Sequence, residues 1–312
     1  MKFNENQINI PAKYPLSGTL TIPQDDIAQH PTVLIIGGSG KGNRDGNLKK
    51  LNTNIYKKLA CALSVKGMAT LRYDKRGISQ SEGDYYQTGI SDLIEDGLSA
   101  LRFLKSSNQV DASRIYILGH SEGAMIAPAV YSNEVARGLI LLCGTSLPGK
   151  ELLYKQPLAL AQEIRQVEGF KRILFKLFKA DKKVITQFEA ILHKALSTNN
   201  PFFHYLFIKI NAKWLREIYH YDVREYLRKI SCPALIIGAG NDIQVDPEDT
   251  KKIAAYIPGT TRTVVVENMN HLLRTHSEKH HLLTLMKEYR YSVENDLDAN
   301  LINEICDWLN DN

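Results

Sequence analysis

Residues 114–125 read RIYILGHSEGAM, and the interpretation of the whole chain starts from this stretch. The run 114–118 is rich in β-branched and apolar residues, which is typical of a buried strand, and the residues from Gly123 to Tyr131 favour a helix. The pattern Gly-x-Ser-x-Gly between a strand and a helix is typical of a strained turn that holds its central side chain, here Ser121, clear of the backbone. A serine can also cap a helix, but the flanking glycines and the preceding strand favour a reactive side chain. We therefore predict that Ser121 is a nucleophile, and that the N-terminus of the following helix favours negative charge beside it.

Strands and helices alternate along most of the chain. Further strands are predicted at 18–22, 32–36, 69–73, 138–143, 234–237 and 263–266, and further helices at 54–66, 90–105 and 301–309. In the helix at 90–105 the apolar residues recur on one face. Alternation of this kind indicates an α/β fold, with a mainly parallel sheet covered by helices on both faces.

One long segment interrupts the alternation. Between Cys143 and Ala234 the sequence contains no strand pattern, only helical patterns rich in aromatic residues. We predict that residues 148–228 form an inserted helical cap over the edge of the sheet. Residues 1–147 and 229–312 would then form one core.

A serine nucleophile needs a histidine to accept its proton and a carboxylate to orient that histidine. In chains with this turn the acid and then the histidine follow the serine along the sequence. His271 lies in the loop after the last predicted strand, and Asp242 comes just after the strand at 234–237. Asp246 and Asp249 lie further along the same loop and are alternatives. We prefer Asp242 because the loops of a parallel sheet converge at the carboxyl ends of its strands.

Acyl transfer also needs N–H groups that stabilise an oxyanion. The backbone N–H of Glu122, the residue after the nucleophile, is one predicted donor. The second is predicted in the glycine-rich loop after the strand at 32–36, where small residues let the backbone approach a ligand closely. By analogy with related glycine-rich loops we assign this donor to the N–H of Ser39, with that of Gly38 as the alternative.

Two other motifs were considered as cofactor or metal sites. The loop GGSGKG resembles a phosphate-binding pattern, but Ile35 and Gly42 stand where that pattern needs glycine and serine or threonine. His276 and His280, within HSEKHH, are four residues apart and could share a helix face as metal ligands, but the pattern H-E-x-x-H is absent. We predict that these histidines lie on a solvated helix face, and that the protein uses neither a metal nor a cofactor.

The composition excludes several function classes. The chain has 312 residues, of which 44% are hydrophobic and 23% charged, with a net charge of +5, which is ordinary for a globular protein. The mild, scattered positive charge does not favour nucleic-acid binding. The four widely spaced cysteines contain no CxxC pair and are expected to be reduced and buried. The N-terminus lacks an apolar leader, and no run approaches the roughly 18 apolar residues of a membrane span. We predict a cytoplasmic protein with no nucleic-acid or membrane partner.

These motifs together resemble those of the α/β-hydrolases, and more narrowly those of bacterial carboxylesterases related to serine aminopeptidases and prolyl-oligopeptidase-type enzymes. The matching pieces cover the chain outside the predicted cap and occur in this order: GTLTIP, IIGGSGKGNRDG, LRYDKRG, ILGHSEGA, GNDIQV, NMNH and CDWL. The resemblance implies an α/β-hydrolase fold in which Ser121, Asp242 and His271 form a catalytic triad.

The family's D-x-R-G turn falls on residues 74–77. The resemblance implies a structural role for Asp74 and Arg76, which would brace the loop. Ser79 stands where the family usually has a second glycine, which leaves the local geometry of this turn open but does not affect the triad.

The residues and the resemblance together predict a serine hydrolase that cleaves carboxylic esters through an acyl-enzyme. The aromatic cap favours a small to medium ester substrate with an apolar acyl or alcohol group. An aminopeptidase or an acyl thioesterase would use the same triad, and an aminopeptidase would need cap carboxylates to hold an amine, for which Glu151, Glu163, Glu168 and Glu189 are candidates. A non-catalytic binding protein is the rival outside the enzymes, but ligand binding alone does not require a Ser-Asp-His set.

Overall fold

A large twisted sheet forms the centre of the molecule. The computed structural model describes residues 2–312. Its strands are β1 (Phe3–Ile10), β2 (Leu16–Pro23), β3 (His30–Ile36), β4 (Ala69–Tyr73), β5 (Val110–His120), β6 (Gly138–Leu142), β7 (Phe202–Tyr205), β8 (Ile208–Asn211), β9 (Ala234–Ala239) and β10 (Thr261–Val266). Eight of them form one sheet in the order β1-β2-β4-β3-β5-β6-β9-β10. The strands from β4 to β10 in this order are parallel, whereas β1 and β2 are antiparallel to their neighbours. The predicted mainly parallel sheet is therefore confirmed.

Helices cover both faces of this sheet. They are α1 (Ile55–Val65), α2 (Ile90–Ser106), α3 (Glu122–Asn133), α4 (Gly149–Gln166), α5 (Phe170–Leu177), α6 (Ala180–Ser197), α7 (Ala212–His220), α8 (Val223–Leu227), α9 (Asp249–Ala254), α10 (Leu285–Ser292) and α11 (Ala299–Asp311), with a short 3-10 helix at Tyr85–Gln87. One apolar layer joins the sheet to α1 and α11, and the other joins it to α2 and α3. Alternate side chains of each central strand enter the two layers, so these strands are buried on both faces.

The parallel strands bring their carboxyl ends to one edge of the sheet. The loops after β3, β5, β9 and β10 start at that edge, and they contain Ser39, Ser121, Asp242 and His271, respectively. Since the strand order places β3, β5, β6, β9 and β10 side by side, residues far apart in sequence meet there.

The segment 148–228, which we call the cap segment, leaves the sheet after β6 and returns at β9. It contains α4 to α8, as the sequence predicted, but it also contains the antiparallel hairpin formed by β7 and β8. The expectation of an all-helical segment was therefore wrong. The hairpin turns at Leu206 and Phe207, which include none of the usual turn residues, and Leu206 adopts a φ of 53° without being glycine. The extent of the cap as an inserted unit stays a prediction.

Strand β1 is another element that the sequence did not predict. Its sequence FNENQINI has mostly polar residues, and most of its side chains are exposed. It lies at the outer edge of the sheet and pairs with β2 along its whole length. The ladder of backbone hydrogen bonds, which depends little on the side chains, therefore specifies this strand.

The turn at residues 74–77 is braced as the resemblance implied. Asp74 is buried and accepts hydrogen bonds from the backbone N–H of Arg44, at 2.6 Å, and from the Arg44 guanidinium. Arg76 is buried and paired with Asp92 and Asp96 on α2. Burial raises the pKa of Asp96, while its bond to Arg76 opposes that shift. Removing one partner of such a buried pair costs about 3–5 kcal/mol of stability.

Ser79 adopts a backbone conformation that is more usual for glycine. It adopts a φ of 52°, which is the left-handed conformation that glycine adopts at least cost. The turn therefore has a left-handed residue at this position although the side chain is not that of glycine.

Two general features complete the description of the fold. All four cysteines are free thiols, and Cys143, Cys232 and Cys306 are buried. Among the helices within residues 2–312, none combines the length and the apolar character needed to cross a membrane.

Candidate active site

Ser121 sits at the apex of a sharp turn between β5 and α3. Its φ of 56° and ψ of −116° place it in a sparsely populated backbone region, which costs about 1–3 kcal/mol for a residue with a side chain. The turn is possible because the chain passes very close to itself. A Cβ on Gly119 would lie 2.1 Å from the carbonyl oxygen of Gly123, and a Cβ on Gly123 would lie 2.0 Å from that of Ile36. Both glycines of the motif are thus required by contact with neighbouring backbone.

The structure brings Ser121, His271 and Asp242 into one hydrogen-bonded row. His271 Nε2 lies 3.0 Å from Ser121 Oγ, and His271 Nδ1 lies 2.6 Å from Asp242 Oδ2. Because a carboxylate accepts, Nδ1 carries the proton and donates it to Asp242, which leaves a lone pair on Nε2. Ser121 Oγ can donate to that lone pair. The arrangement has the polarity needed for His271 to act as a general base toward Ser121.

Asp242 is held as a carboxylate. Burial by itself would raise its pKa, but the charge of His271 and the hydrogen bonds from His271 and from the backbone N–H groups of Gln244 and Val245 hold the pKa below its ordinary value. Asp242 Oδ1 accepts the two backbone bonds, at 2.7 and 3.1 Å, and Oδ2 accepts from His271. Both oxygens are therefore fixed, and the orientation of the imidazole follows from them.

The two alternative acids lie elsewhere. Asp246 accepts a hydrogen bond from the backbone N–H of Glu248, and its role is a local turn. Asp249 is buried, accepts from the hydroxyl of Thr145 and pairs with Lys252. Neither carboxylate bonds to His271, so of the three candidates the geometry selects Asp242.

The two predicted oxyanion donors belong to residues near the nucleophile. Glu122 is the first residue of α3, so its N–H has no acceptor within the helix. Ser39 lines the cavities in front of Ser121. Lys75 Nζ donates to the carbonyl oxygen of Gly38 at 2.7 Å. In a planar trans peptide the N–H points away from the C=O, so this bond also fixes the direction of the Ser39 N–H.

The alternative donor is already engaged. The N–H of Gly38 donates to the hydroxyl oxygen of Tyr56 at 2.6 Å. The structure therefore favours Ser39 over Gly38 as the second donor.

A series of hydrogen bonds connects the glycine-rich loop after β3 to the loop after β10 that contains His271. Tyr56 Oη lies 3.0 Å from His120 Nδ1, and His120 Nε2 lies 3.0 Å from the carbonyl oxygen of His271. That carbonyl can only accept, so His120 carries its proton on Nε2 and accepts from Tyr56 through Nδ1. Burial, together with the nearby charge of His271, lowers the pKa of His120 to about 3. His120 thus stays neutral at neutral pH, and the direction of every bond from Gly38 to His271 is determined.

The side chain of Glu122 joins the core to the cap segment. It is buried, accepts from Trp214 Nε1 at 2.7 Å and has its second oxygen 3.8 Å from Lys75 Nζ. Burial lowers the pKa of Lys75, and Glu122 opposes that shift. One ion pair beside the nucleophile therefore holds both the Gly38 carbonyl and the first residue of α3.

One cluster within residues 2–312 has the residue types of a metal site. Ligand atoms of His120, Cys143 and His271 lie within 4.8 Å of one another. Both ring nitrogens of His120 and both of His271 already take part in the hydrogen bonds described above. Burial raises the pKa of the Cys143 thiol well above its ordinary value, which disfavours the thiolate that a metal would bind. These contacts fit a hydrogen-bonded catalytic network better than a metal site.

The second histidine cluster is not on a helix. Residues 276–281 form a loop, and His280 is buried and bonded through Nδ1 to Glu288 at 2.7 Å. The ring of His276 stacks on that of His280, with centroids 4.1 Å apart. The expectation of a solvated helix face was therefore wrong. The next helix, α10, starts only at Leu285, so the two rings are brought together by the loop and not by the spacing of a helix.

Two cavities meet at the nucleophile. The larger, the cap cavity, has a volume of about 370 Å³ and is lined mainly by apolar side chains of α3, α4, α6 and α7. The smaller, the loop cavity, has a volume of about 220 Å³ and is lined by the glycine-rich loop, α1 and α10. They share Ser39, Ser121, Gln244 and His271. A molecule bound at Ser121 can therefore extend to both sides.

The sequence analysis missed four residues of this site. Tyr56, Lys75, His120 and Trp214 each hold a predicted site residue through a contact across the fold. His120 and Lys75 lie within the quoted motifs ILGHSEGA and LRYDKRG, which was the available signal. Tyr56 and Trp214 lie within ordinary amphipathic helices, which gave none.

Comparison with known proteins matches this architecture. The family model described as "Serine aminopeptidase, S33" matches residues 52–278, well over half of the chain. The esterase EstD of Thermotoga maritima is 27% identical over 309 residues, which are 98% of this chain and 68% of that protein.

Solved structures share the fold. An alpha/beta hydrolase, GrgF from Penicillium sp. sh18, superposes with a TM-score of 0.61 at 15% identity, covering 99% of this chain and 98% of that one. Est1E from Butyrivibrio proteoclasticus with bound ferulic acid superposes with a TM-score of 0.59 at 16% identity, covering 93% and 98%. These similarities confirm the predicted α/β-hydrolase fold.

The bond from Asp242 to His271 gives a first prediction. Asparagine keeps the shape of the side chain but does not balance the imidazolium and can stabilise the wrong tautomer, a change that costs about 10⁴ in kcat in a serine protease. We expect Asp242→Asn to lower kcat by about 10² to 10⁴, and Asp246→Asn or Asp249→Asn to change it by roughly a few fold. Ester turnover by each purified variant, with thermal melting as a check of folding, decides between them. A large loss in Asp246→Asn with a small loss in Asp242→Asn would refute the assignment.

The series of hydrogen bonds that runs from Gly38 through Tyr56 and His120 to His271 gives a second prediction. Tyr56→Phe leaves the Gly38 N–H and His120 Nδ1 without their shared partner, and unpaired buried groups of this kind cost about 1–3 kcal/mol. We expect kcat to fall about tenfold while KM stays within roughly twofold, because the groups displaced act on the transition state rather than on binding.

Tyr131→Phe is the matched control. It removes one partly buried hydrogen bond, to Ser231 at 3.0 Å, near the C-terminal end of α3, and we expect its kcat to stay unchanged. Equal losses of kcat in the two variants would show a general loss of stability rather than positioning by Tyr56.

Proposed function

Since the chain belongs to the serine aminopeptidase S33 family, we propose that it is a serine hydrolase that cleaves carboxylic esters carrying a sizeable apolar group. The observation that carries the proposal is the position of the hydrogen-bonded row Ser121–His271–Asp242 at the junction of two cavities whose walls are mainly apolar. The esterase EstD, which matches nearly the whole chain, is consistent with this activity.

The mechanism follows from the directions of the hydrogen bonds. His271 Nε2 takes the proton of Ser121 as Oγ attacks the ester carbonyl carbon. The carbonyl oxygen gains negative charge and is bound by the N–H groups of Ser39 and Glu122. His271 then donates its proton to the leaving alcohol, and an acyl group remains on Ser121. Water, deprotonated by His271, attacks the carbonyl carbon of this acyl group. His271 then returns the proton to Ser121 Oγ as the bond from Oγ to the acyl carbon breaks, so the acid is released and the serine is restored.

The cap cavity suits the larger apolar group of the ester. Leu152, Leu153 and Phe188 from the cap segment face Met125 and Val245 from the core. Removing apolar surface from water contributes about 25 cal/mol per Å², so an acyl chain or aryl ring gains binding energy there. The loop cavity, with its smaller volume of about 220 Å³, would accept the smaller end of the substrate.

The aminopeptidase alternative lacks a free carboxylate. An amino group bound as a cation would need an unpaired acid in the site. Among the described residues that line the two cavities, Glu122 is the one carboxylate, and it already pairs with Lys75 and Trp214.

The four cap glutamates singled out in the sequence do not line either cavity. Glu163 accepts hydrogen bonds from the backbone N–H groups of Leu282 and Leu283 instead. The structure therefore gives no support to recognition of an amine, and an ester without a charged amine is the better substrate.

Leucine methyl ester and N-acetyl-leucine methyl ester distinguish the two activities. An aminopeptidase requires the free amine, whereas a charged ammonium group is costly to bury in an apolar cavity without a partner. We expect the acetylated ester to be hydrolysed with at least a roughly tenfold higher kcat/KM. A preference for the free amine would refute esterase specificity and support the aminopeptidase.

The thioester S-butanoyl thiocholine, compared with butyrylcholine, tests the remaining alternative, and a strong preference for the thioester would favour a thioesterase.

The assignment of the cap cavity can be tested with Leu153→Trp, which fills part of that cavity. Two series of esters are compared: nitrophenyl esters with acyl chains of increasing length, and alkyl esters with alcohol groups of increasing length. We expect the kcat/KM of the wild-type protein to rise with apolar length in one of these series. Leu153→Trp should abolish that rise while acetate esters are still cleaved. Leu158→Trp is the matched control, because Leu158 lies on the same helix but is exposed. An unchanged length preference in Leu153→Trp would refute the assignment.

A further inference from the structure

Helix α5, which follows α4 in the cap segment, turns an apolar face to solvent. Phe170, Ile173 and Leu177 are 73%, 63% and 71% exposed, and Leu174 and Phe178 are also exposed. Their spacing of three and four residues places all five on one face of the helix. A stripe of this kind normally packs against a core, so its exposure needs an explanation.

The surroundings of this face are strongly basic. Residues 170–183 contain six basic residues, Lys171, Arg172, Lys176, Lys179, Lys182 and Lys183, against the single acid Asp181. Asp181 is paired with Arg165 from α4. Of Arg172, Lys176, Lys179, Lys182 and Lys183, none forms an ion pair with a described carboxylate.

The charges lie next to the apolar face. Lys183 Nζ is 5.8 Å from the centre of the Phe178 ring. The segment therefore combines exposed phenylalanine, leucine and isoleucine with an uncompensated basic border, within a helix of eight residues.

We propose that α5 docks the protein on the surface of an anionic lipid layer. Short amphipathic helices with an apolar face and basic flanks bind in the plane of a lipid surface through both contributions. Each Lys or Arg near an anionic surface strengthens such binding, and salt weakens this contribution. The earlier prediction of no membrane partner was drawn from the lack of a spanning run, and surface docking requires no such run.

A second copy of the chain fits this face less well. A two-fold interface brings the same patch of both copies together, and here that would place two basic borders against each other. Stable interfaces also use about 20–30 residues from each side, whereas this face offers five apolar side chains on a helix about 12 Å long.

The position of α5 links docking to the cap cavity. The helix connects α4, which carries Leu153, to α6, which carries Phe188. If the proposed ester hydrolysis holds, an apolar ester dissolved in lipid would meet the protein at the helix that joins two of the helices lining this cavity. Docking itself does not depend on catalysis and is tested separately.

The test is sedimentation of the full chain with sucrose-loaded vesicles. One set is made of phosphatidylcholine alone and the other of phosphatidylcholine mixed with phosphatidylglycerol. We expect binding to the mixed vesicles at low salt and at least a roughly tenfold weaker binding at high salt or to phosphatidylcholine alone.

Two variants test the face itself. The triple change Phe170→Ser, Ile173→Ser and Leu177→Ser should weaken binding at least roughly tenfold. The double change Ile27→Ser and Val135→Ser removes two exposed apolar side chains that lie outside the cap segment, and it should leave binding unchanged. Turnover of a water-soluble aryl ester should be the same for all of these proteins, which shows that they are folded.

A charge variant completes the set. Lys176→Glu with Lys179→Glu should weaken binding at least roughly tenfold and remove most of its salt dependence. Wild-type protein that stays in the supernatant with both vesicle types would overturn the proposal, and so would α5 variants that bind as wild type. Self-association that is lost on gel filtration in the triple variant, without vesicle binding, would assign the face to a second copy and also overturn it. Loss of ester turnover would bear only on the proposed function.

Discussion

The close contact of backbone at the turn after β5 is the constraint on which the site depends. The chain at Gly119 touches the chain at Gly123, and Gly123 in turn lies against the carbonyl of Ile36. No side chain fits at either glycine, and the turn forces Ser121 into an unfavourable conformation. The two buried apolar layers on the faces of the sheet supply the stability that offsets this strain. Ser121 therefore projects toward the loops at the carboxyl edge, where His271 and Asp242 are already fixed.

A second set of contacts prepares the site for negative charge. Lys75 holds the peptide between Gly38 and Ser39 from one side, and Tyr56 holds the Gly38 N–H from the other. Glu122, the residue after the nucleophile, neutralises Lys75 and is in turn bound by Trp214. The N–H groups of Ser39 and Glu122, which we propose as oxyanion donors, are thus oriented before any substrate arrives, and such donors lower a barrier most when they are oriented in advance. The cap segment therefore has two contributions: it lines the cap cavity, and through Trp214 it helps to orient Glu122.

Much of the fold and the three residues of the row could be predicted from the sequence, because their signals are local. Buried strands such as β5 and β9 are continuous apolar runs, and Gly-x-Ser-x-Gly carries its own backbone constraint. Strand β1 could not be predicted, since an edge strand is held by its neighbour's backbone and its side chains remain polar. The hairpin of β7 and β8 was missed because its turn at Leu206 lacks glycine or asparagine. The supporting contacts of Tyr56 and Trp214 were also beyond reach, since each depends on residues distant in the chain that only the folded sheet and cap bring together.

The most direct test of the account is covalent labelling by a fluorophosphonate. An activated serine displaces fluoride from this reagent and keeps the phosphonyl group, and peptide mass spectrometry locates it. The account predicts a single adduct on the peptide that contains Ser121, and its loss in folded Ser121→Ala and His271→Ala proteins. An adduct at another residue, or a folded wild-type protein that takes up no label, would contradict the claim that Ser121, His271 and Asp242 form the catalytic centre.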